Sequence, residues 1–153
     1  MSEVIITFLA SFLIWFMFAG LGYLWIIDGK VLKEQVLHAF LTALIAWGIA
    51  QMIKGLFPTT RPFHTNGKAP LTVTVPTDAA FPSGHASAAF GLAVSVWLHD
   101  KKIGKVFLVS AVLVGLGRIL GNVHSLLDVS GGCVLGAMTA FVVEKLHLHK
   151  LLK

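Results

Sequence analysis

Val4 to Ile27 run for 24 positions without a charged side chain. At about 1.5 Å per residue, a helix of that length crosses the roughly 30 Å hydrocarbon layer of a bilayer with some tilt. Further apolar runs follow over residues 35–53, 83–98, 103–120 and 126–143. Apolar residues make up 56% of the 153-residue chain and charged residues 12%. Typical soluble domains have about 45–50% and 25%. The sequence therefore predicts an all-α integral membrane helical bundle. It has about five transmembrane helices (4–27, 35–53, 83–98, 103–120 and 126–143) in a single domain, residues 1–153. The first run is rich in Phe and Trp and has no ionisable group, so it reads as a peripheral, lipid-facing helix. It lacks a basic start and exceeds a signal's apolar core, so no cleavable signal peptide is expected. The net charge of +5 forms no basic stripe with interleaved aromatics, which excludes a nucleic-acid partner. Cys133 is the only cysteine, so there is no intrachain disulfide; it reads as a small packing residue.

The longest non-helical segment runs from Leu56 to Phe81, between the second and third spans, and holds four of the five prolines. A loop this long in so small a chain is usually functional. Within it Leu71–Val75 alternates and suggests a short extended piece. Gly117-x-x-x-Gly121 and Gly132-x-x-x-Gly136 offer small faces for close helix packing. Five spans put the termini on opposite sides. One side carries Lys30, Lys33, Lys101, Lys102, Lys105, Lys145, Lys150 and Lys153; the other carries Lys54, Arg61, Lys68 and Arg118. That eight-to-four bias places the first side, with the C-terminus, in the cytoplasm. The N-terminus and the long loop then lie outside. The four outer cations run against the bias, which makes them candidates for chemistry.

The proposed topology brings three polar segments to that outer face. They are Lys54 to Arg61-Pro62, Pro82-Ser83-Gly84-His85, and Arg118 through His124 to Asp128. Pro82 fits a helix entry and Ser83 an N-cap, and Gly84 admits a close approach to the backbone. A helix N-terminus suits a phosphate. Three cations and backbone amides can hold phosphoryl oxygens and stabilise developing charge. One imidazole can attack phosphorus, held in its tautomer by a carboxylate. The other can protonate the leaving oxygen and then activate water. Asp128 follows His124 by four residues, so the two share a face if the fifth helix starts near His124.

Each residue taken alone has a plainer role. Lys54 and Arg61 fit cations snorkelling to the interface. His85 fits a capped-helix histidine, Arg118 and Asp128 a structural ion pair, and His124 an interfacial hydrogen-bonding residue. Their joint occurrence on one side, in this order, favours a site.

Lys-x6-Arg-Pro, then Pro-Ser-Gly-His, then Arg-x5-His-x3-Asp resembles the three-part signature of the type 2 phosphatidic acid phosphatase superfamily. That superfamily includes membrane lipid phosphatases and vanadium haloperoxidases. The resemblance covers Lys54 to Asp128. It implies that His124 is a nucleophile forming a phosphohistidine, that Asp128 orients it, and that His85 is the general acid. It implies Lys54, Arg61, Arg118, Ser83 and the Gly84 amide as phosphate ligands, with no metal and no cofactor. The sequence holds no acidic cluster suited to Mg²⁺. One departure is Gly117, where family members often carry Ser.

The expected function is dephosphorylation of a membrane lipid at the outer face of a cell (inner) membrane. The favoured substrate is undecaprenyl diphosphate, converted to the monophosphate in cell-wall carrier recycling. Phosphatidylglycerophosphate, phosphatidic acid and lipid A phosphates are the alternatives. The expected partners are the lipid phosphate and the bilayer, with no obligate protein partner. From another class comes an inactive lipid-binding or lipid-flipping protein, and the spans argue against a soluble haloperoxidase. His64 and Lys68 are candidates for a second phosphate, weighed against plain surface solvation. His147 and His149 resemble a metal pair but read as solvated tail residues. His38 and His99 have no partner that the sequence names.

Overall fold

The computed structural model describes residues 2–27 and 30–146. His147, His149, Lys150 and Lys153 lie outside the described residues. Seven helices follow in order: α1 (Glu3–Ser11), α2 (Leu13–Ile27), α3 (Lys30–Leu56), α4 (Pro62–Asn66), α5 (Gly84–His99), α6 (Lys101–Leu120) and α7 (Leu126–Leu146). Among the described residues there is no strand.

The bundle is built around α5, which packs against α3, α6 and α7. Its sequence is rich in alanine, the best helix former. Small side chains also set its packing. Lipid tails are as apolar as leucine, so helices in a bilayer associate by close van der Waals fit rather than by escape from water. Ala86, Ala89, Gly91 and Ala93 of α5 are buried. On α7, Gly132 and Gly136 lie against the α5 backbone at Ser83 and Ser87. A Cβ added at Gly132 would meet the Ser83 carbonyl at 2.7 Å. The Gly132–Gly136 face expected from the sequence is thus the α5–α7 seam, and it draws the start of α7 against the start of α5. The inner core continues through Ile14, Met17, Ala43, Leu92, Phe107 and Val114. Large apolar side chains such as Trp15, Phe16, Ile26, Val106, Met138 and Phe141 face outward. In water that surface would aggregate; in a bilayer it is the lipid face.

Among the described residues three helices are long and apolar enough to cross a membrane: Lys33–Leu56, Lys101–Leu120 and Leu126–Leu146. The α1–α2 pair makes a fourth if taken as one span. At 16 residues, α5 measures only about 24 Å.

Several boundaries differ from the sequence reading. The first run is not one straight helix; it bends by 50° between α1 and α2. There Arg118 Nη1 donates to the Ala10 carbonyl at 2.9 Å, and Val73 N donates to Ser11 Oγ at 3.2 Å. The guanidinium thus competes for a carbonyl that would continue the helix, while the loop holds the Ser11 side chain. The run has lipid-facing residues, but α1 also packs on α6 beside Arg118. The long loop contains α4, closed by Gly67 in the left-handed region at φ 68°. Leu71–Val75 forms bends rather than an extended strand, with Leu71 N on the Gly121 carbonyl at 2.9 Å. His99 belongs to α5, because Asp100 alone makes the turn. Its carboxylate accepts from Lys102 N and Ile103 N and caps α6.

Candidate active site

One end of the bundle collects the three polar segments. Lys54 lies near the end of α3, Arg61 just before α4, His85 in the first turn of α5, and Arg118 in the last turn of α6. A cavity of about 330 Å³ is lined there by Lys54, Arg61, Gly84, His85, Arg118 and His124, with Trp47, Gln51 and loop residues Val75–Asp78. Of the eight sequence candidates, six line this cavity. Ser83 and Asp128 stand behind it.

Ser83 is fully buried, and its hydroxyl accepts from Ala86 N at 3.4 Å, capping α5. Its own amide donates to the Asp128 carbonyl at 2.9 Å. That bond ties the second polar segment to the third.

His124 does not lie on α7; it precedes the helix by two residues. The tight turn after α6, with Asn122 at φ 60°, brings His124 N back to the Arg118 carbonyl at 3.2 Å. Asn is among the few residues that accept that conformation readily. Asp128 is fixed by a capping box. Ser125 N donates to Asp128 Oδ2 at 2.6 Å, and Asp128 N donates to Ser125 Oγ at 3.2 Å. This holds the carboxylate 3.7 Å from His124 Nδ1, within ion-pair range but too long for a hydrogen bond. Across the ring, Arg61 Nη1 stands 3.2 Å from His124 Nε2. A guanidinium only donates, so that contact assigns a lone pair to Nε2 and the proton to Nδ1, facing Asp128.

Burial pushes the His124 pKa down, and Arg118, Arg61 and Lys54 push it further; Asp128 opposes them. The net value is about 4. The ring is neutral at physiological pH.

Lys54 and Arg61 do not snorkel. They are 8% and 2% exposed and share the carboxylate of Asp78. Lys54 Nζ lies 2.5 Å from Oδ2, and Arg61 Nη2 lies 2.6 Å from Oδ1. Backbone carbonyls of Asp78, Ala79 and Val123 hold the rest of the Arg61 fork at 2.8–3.1 Å. Burial raises the Asp78 pKa, but Lys54 and Arg61 outweigh it and hold the carboxyl below its ordinary value. Arg118 and Asp128 do not form the structural pair considered from the sequence. Arg118 bonds Ala10, and its buried Nε has no partner.

Sequence reasoning missed Asp78 and Ser125. Each left a signal: Asp78 is the only acidic residue between Glu34 and Asp100, and Ser125-x-x-Asp128 is a capping-box pattern. His64 and Lys68 do not line the cavity. His64 packs on the Phe63 ring at 4.2 Å, and the Lys68 carbonyl accepts from Asn122.

Beside the polar cavity runs a second, apolar one of about 560 Å³ between α2, α3 and α5. Ile14, Phe18, Phe40, Leu44 and Ala88 form its walls. Trp47, Gly84 and His85 belong to both cavities.

Comparison with known proteins gives a consistent picture. The sequence pattern described as "PAP2 superfamily" matches residues 35–150. Bacitracin transport permease protein BcrC of Bacillus licheniformis is 29% identical over 143 residues, covering 94% of this chain and 70% of the relative. Undecaprenyl-diphosphatase BcrC of Bacillus subtilis is 26% identical over 119 residues, covering 78% of this chain but 61% of the relative. The crystal structure of Aquifex aeolicus LpxE superposes with a TM-score of 0.75 at 27% identity, covering 94% of this chain and 85% of that one.

Proposed function

This chain belongs to the PAP2 superfamily, and from that premise we propose that it removes the terminal phosphate of undecaprenyl diphosphate through a phosphohistidine on His124. The coarser assignment, a multi-pass membrane lipid phosphatase, follows from the family, the relatives and the apolar helices. The observation that carries the proposal is that the two cavities share Trp47, Gly84 and His85 in their walls. A phosphate fits the cationic one, a lipid tail fits the apolar one, and the bond between them lies beside His85.

Lys54, Arg61 and Arg118 bind the phosphoryl oxygens, together with the Gly84 amide at the N-terminus of α5. The free Nε of Arg118 gains a partner in this step. His124 Nε2 attacks phosphorus. As the N–P bond forms, the bond from the terminal phosphorus to the bridging oxygen breaks, and His85 gives its proton to that oxygen, which leaves on the lipid monophosphate. Asp128 closes on the Nδ1 proton as positive charge grows on the ring. Water then attacks the phosphohistidine with His85 as base, releasing phosphate and restoring His124. Each cation contributes on the order of 10²–10³-fold to the rate, and the acid about 10²–10⁴-fold. No step uses a metal. Gln51 and Thr77 are the uncharged polar residues of the cavity wall, where a second phosphate sits. The Bacillus subtilis relative's name supports the diphosphate. We place the site on the outer face, with five crossings, the N-terminus outside and the C-terminus cytoplasmic.

The test is phosphate release by purified protein in EDTA. Undecaprenyl diphosphate, phosphatidylglycerophosphate, phosphatidic acid and lipid A are compared, with His124→Ala as control. Preference for the diphosphate, lost in the variant, is expected. Preference for a monophosphate lipid would overturn the substrate. Release independent of His124, or lipid movement with no release at all, would overturn the mechanism.

A further inference from the structure

At the end of the bundle away from the cationic cavity, three helices bring together His38 of α3, His99 of α5 and Glu144 of α7. His38 and Lys54 are sixteen residues apart on α3, about 24 Å along the axis, so this cluster is separate from the active site. His38 Nδ1, His99 Nε2 and Glu144 Oε2 are each buried, and none has a hydrogen-bond partner. They point at one another. His99 Nε2 lies 3.0 Å from Glu144 Oε2, and His38 Nδ1 lies 3.7 Å from the same oxygen. All three atoms fall within 4.8 Å of one another. The 3.0 Å contact is close enough for a hydrogen bond but not aligned for one. Three buried, convergent ligand atoms without hydrogen-bond partners call for an explanation.

We propose that His38, His99 and Glu144 bind a zinc-like divalent cation that ties α3, α5 and α7 together. Two imidazoles and a carboxylate match the borderline-soft preference of Zn²⁺ and exclude Mg²⁺ and Ca²⁺, which take oxygen ligands. Ligands at about 2.0–2.2 Å around a tetrahedral centre stand roughly 3.3–3.5 Å apart. The separations of 3.0 and 3.7 Å bracket that range and the third lies within 4.8 Å, so side-chain movements of about an ångström close the site. Water fills the fourth position. Asp100, the next residue after His99, is not in the cluster; its Oδ1 caps α6 by accepting from Lys102 N and Ile103 N. Among the described residues nothing near the cluster resembles a nucleophile or phosphate cradle, so the role assigned to the ion is to hold the three helices together, its fourth position left to water. Three helices that otherwise associate only by van der Waals fit gain a covalent-like clamp at this end. The phosphatase chemistry needs no metal, so the two proposals can fail separately.

The experiment uses the full chain in detergent, without a polyhistidine tag, stripped with EDTA and titrated with Zn²⁺ and, in parallel, Co²⁺. Binding of about one equivalent per chain is expected, with tetrahedral Co²⁺ absorption and a rise in Tm of several degrees. His99→Ala and Glu144→Gln should weaken binding at least tenfold and abolish the Tm rise. Their phosphate release in EDTA should match the wild type, which shows that they are folded. A His147→Ala, His149→Ala double variant should keep the site. Absence of saturable binding, or equal affinity in His99→Ala and Glu144→Gln, overturns the proposal. So does binding lost only in the tail variant.

Discussion

Asp78 occupies Lys54 and Arg61, the cations proposed to bind phosphate, so on that proposal its charge should oppose substrate binding. Consider Asp78→Asn, which keeps the shape and removes the charge. The carboxylate makes two contacts, at 2.5 Å to Lys54 and 2.6 Å to Arg61. Charge-assisted bonds of buried groups contribute about 1.5–3 kcal/mol, and exposed ion pairs about 0.2–1 kcal/mol. The cations are buried, but the Asp78 side chain is 43% exposed, which screens both contacts. About 0.5–1 kcal/mol each, or roughly 1–2 kcal/mol together, is a reasonable discount. A phosphate that no longer displaces this charge should bind roughly 5- to 30-fold more tightly. The loop should survive. Arg61 still holds the carbonyls of Asp78 and Ala79, and Ala80 N and Phe81 N still bond Thr59. Without phosphate the variant's Tm should fall, because Lys54 and Arg61 lose their counter-charge; phosphate should restore it. A carboxyl held below its ordinary pKa stays ionised above that value and loses its contribution only as pH falls through the lowered one. The effect should therefore be constant from pH 6 to 8. The assay is competitive inhibition by inorganic phosphate and by orthovanadate at fixed ionic strength. An unchanged or higher Ki would refute the placeholder role and make Asp78 a support for the cations instead.

Three further outcomes are expected. His124 titrates near 4 in the fold against an ordinary 6.5, so the unfolded chain takes up its proton first. Its contribution, on the order of 3 kcal/mol, is complete above pH 6.5 and lost as pH falls toward 4. The Tm drop between pH 7.5 and 5 should therefore be larger in the wild type than in His124→Asn, and parallel curves would count against this. Gly117→Ser, which restores the residue common in the family, should lower stability by about 1–3 kcal/mol in thermal unfolding. Its Cβ would meet Ala10 N at 2.6 Å, forcing α1 off α6 and loosening the Arg118–Ala10 bond. A stability equal to the wild type's would show that α1 yields freely. Ala88→Leu narrows the apolar cavity and should raise KM for the long-tailed lipid about tenfold. Turnover of a short, soluble phosphate ester should be unaffected, and equal losses on both would mean that the cavity does not hold the tail.

The sequence by itself determined the class of fold and which polar residues gather at one end. Uncharged runs of membrane length dictate helices, and Lys54, Arg61, His85, Arg118, His124 and Asp128 announce themselves by residue type and local spacing. Such signals are local, and a single chain carries them in full. The Ser83 cap and the Gly132–Gly136 seam were legible for the same reason. What faces what was not. In a bilayer the core and the lipid are equally apolar, so a spanning helix has no polar face and its periodicity does not say which side packs inward. Only the packed structure could show that α1 bends at Phe12 to meet Arg118, that Asp78 folds back onto Lys54 and Arg61, and that Trp47 and His85 line both cavities. His38, His99 and Glu144 are the clearest case. They lie on three helices, far apart in sequence, and Glu144 falls just past the end of the last predicted span. The close approach of α3, α5 and α7, set by alanine and glycine rather than by any of the three residues themselves, decides that they meet.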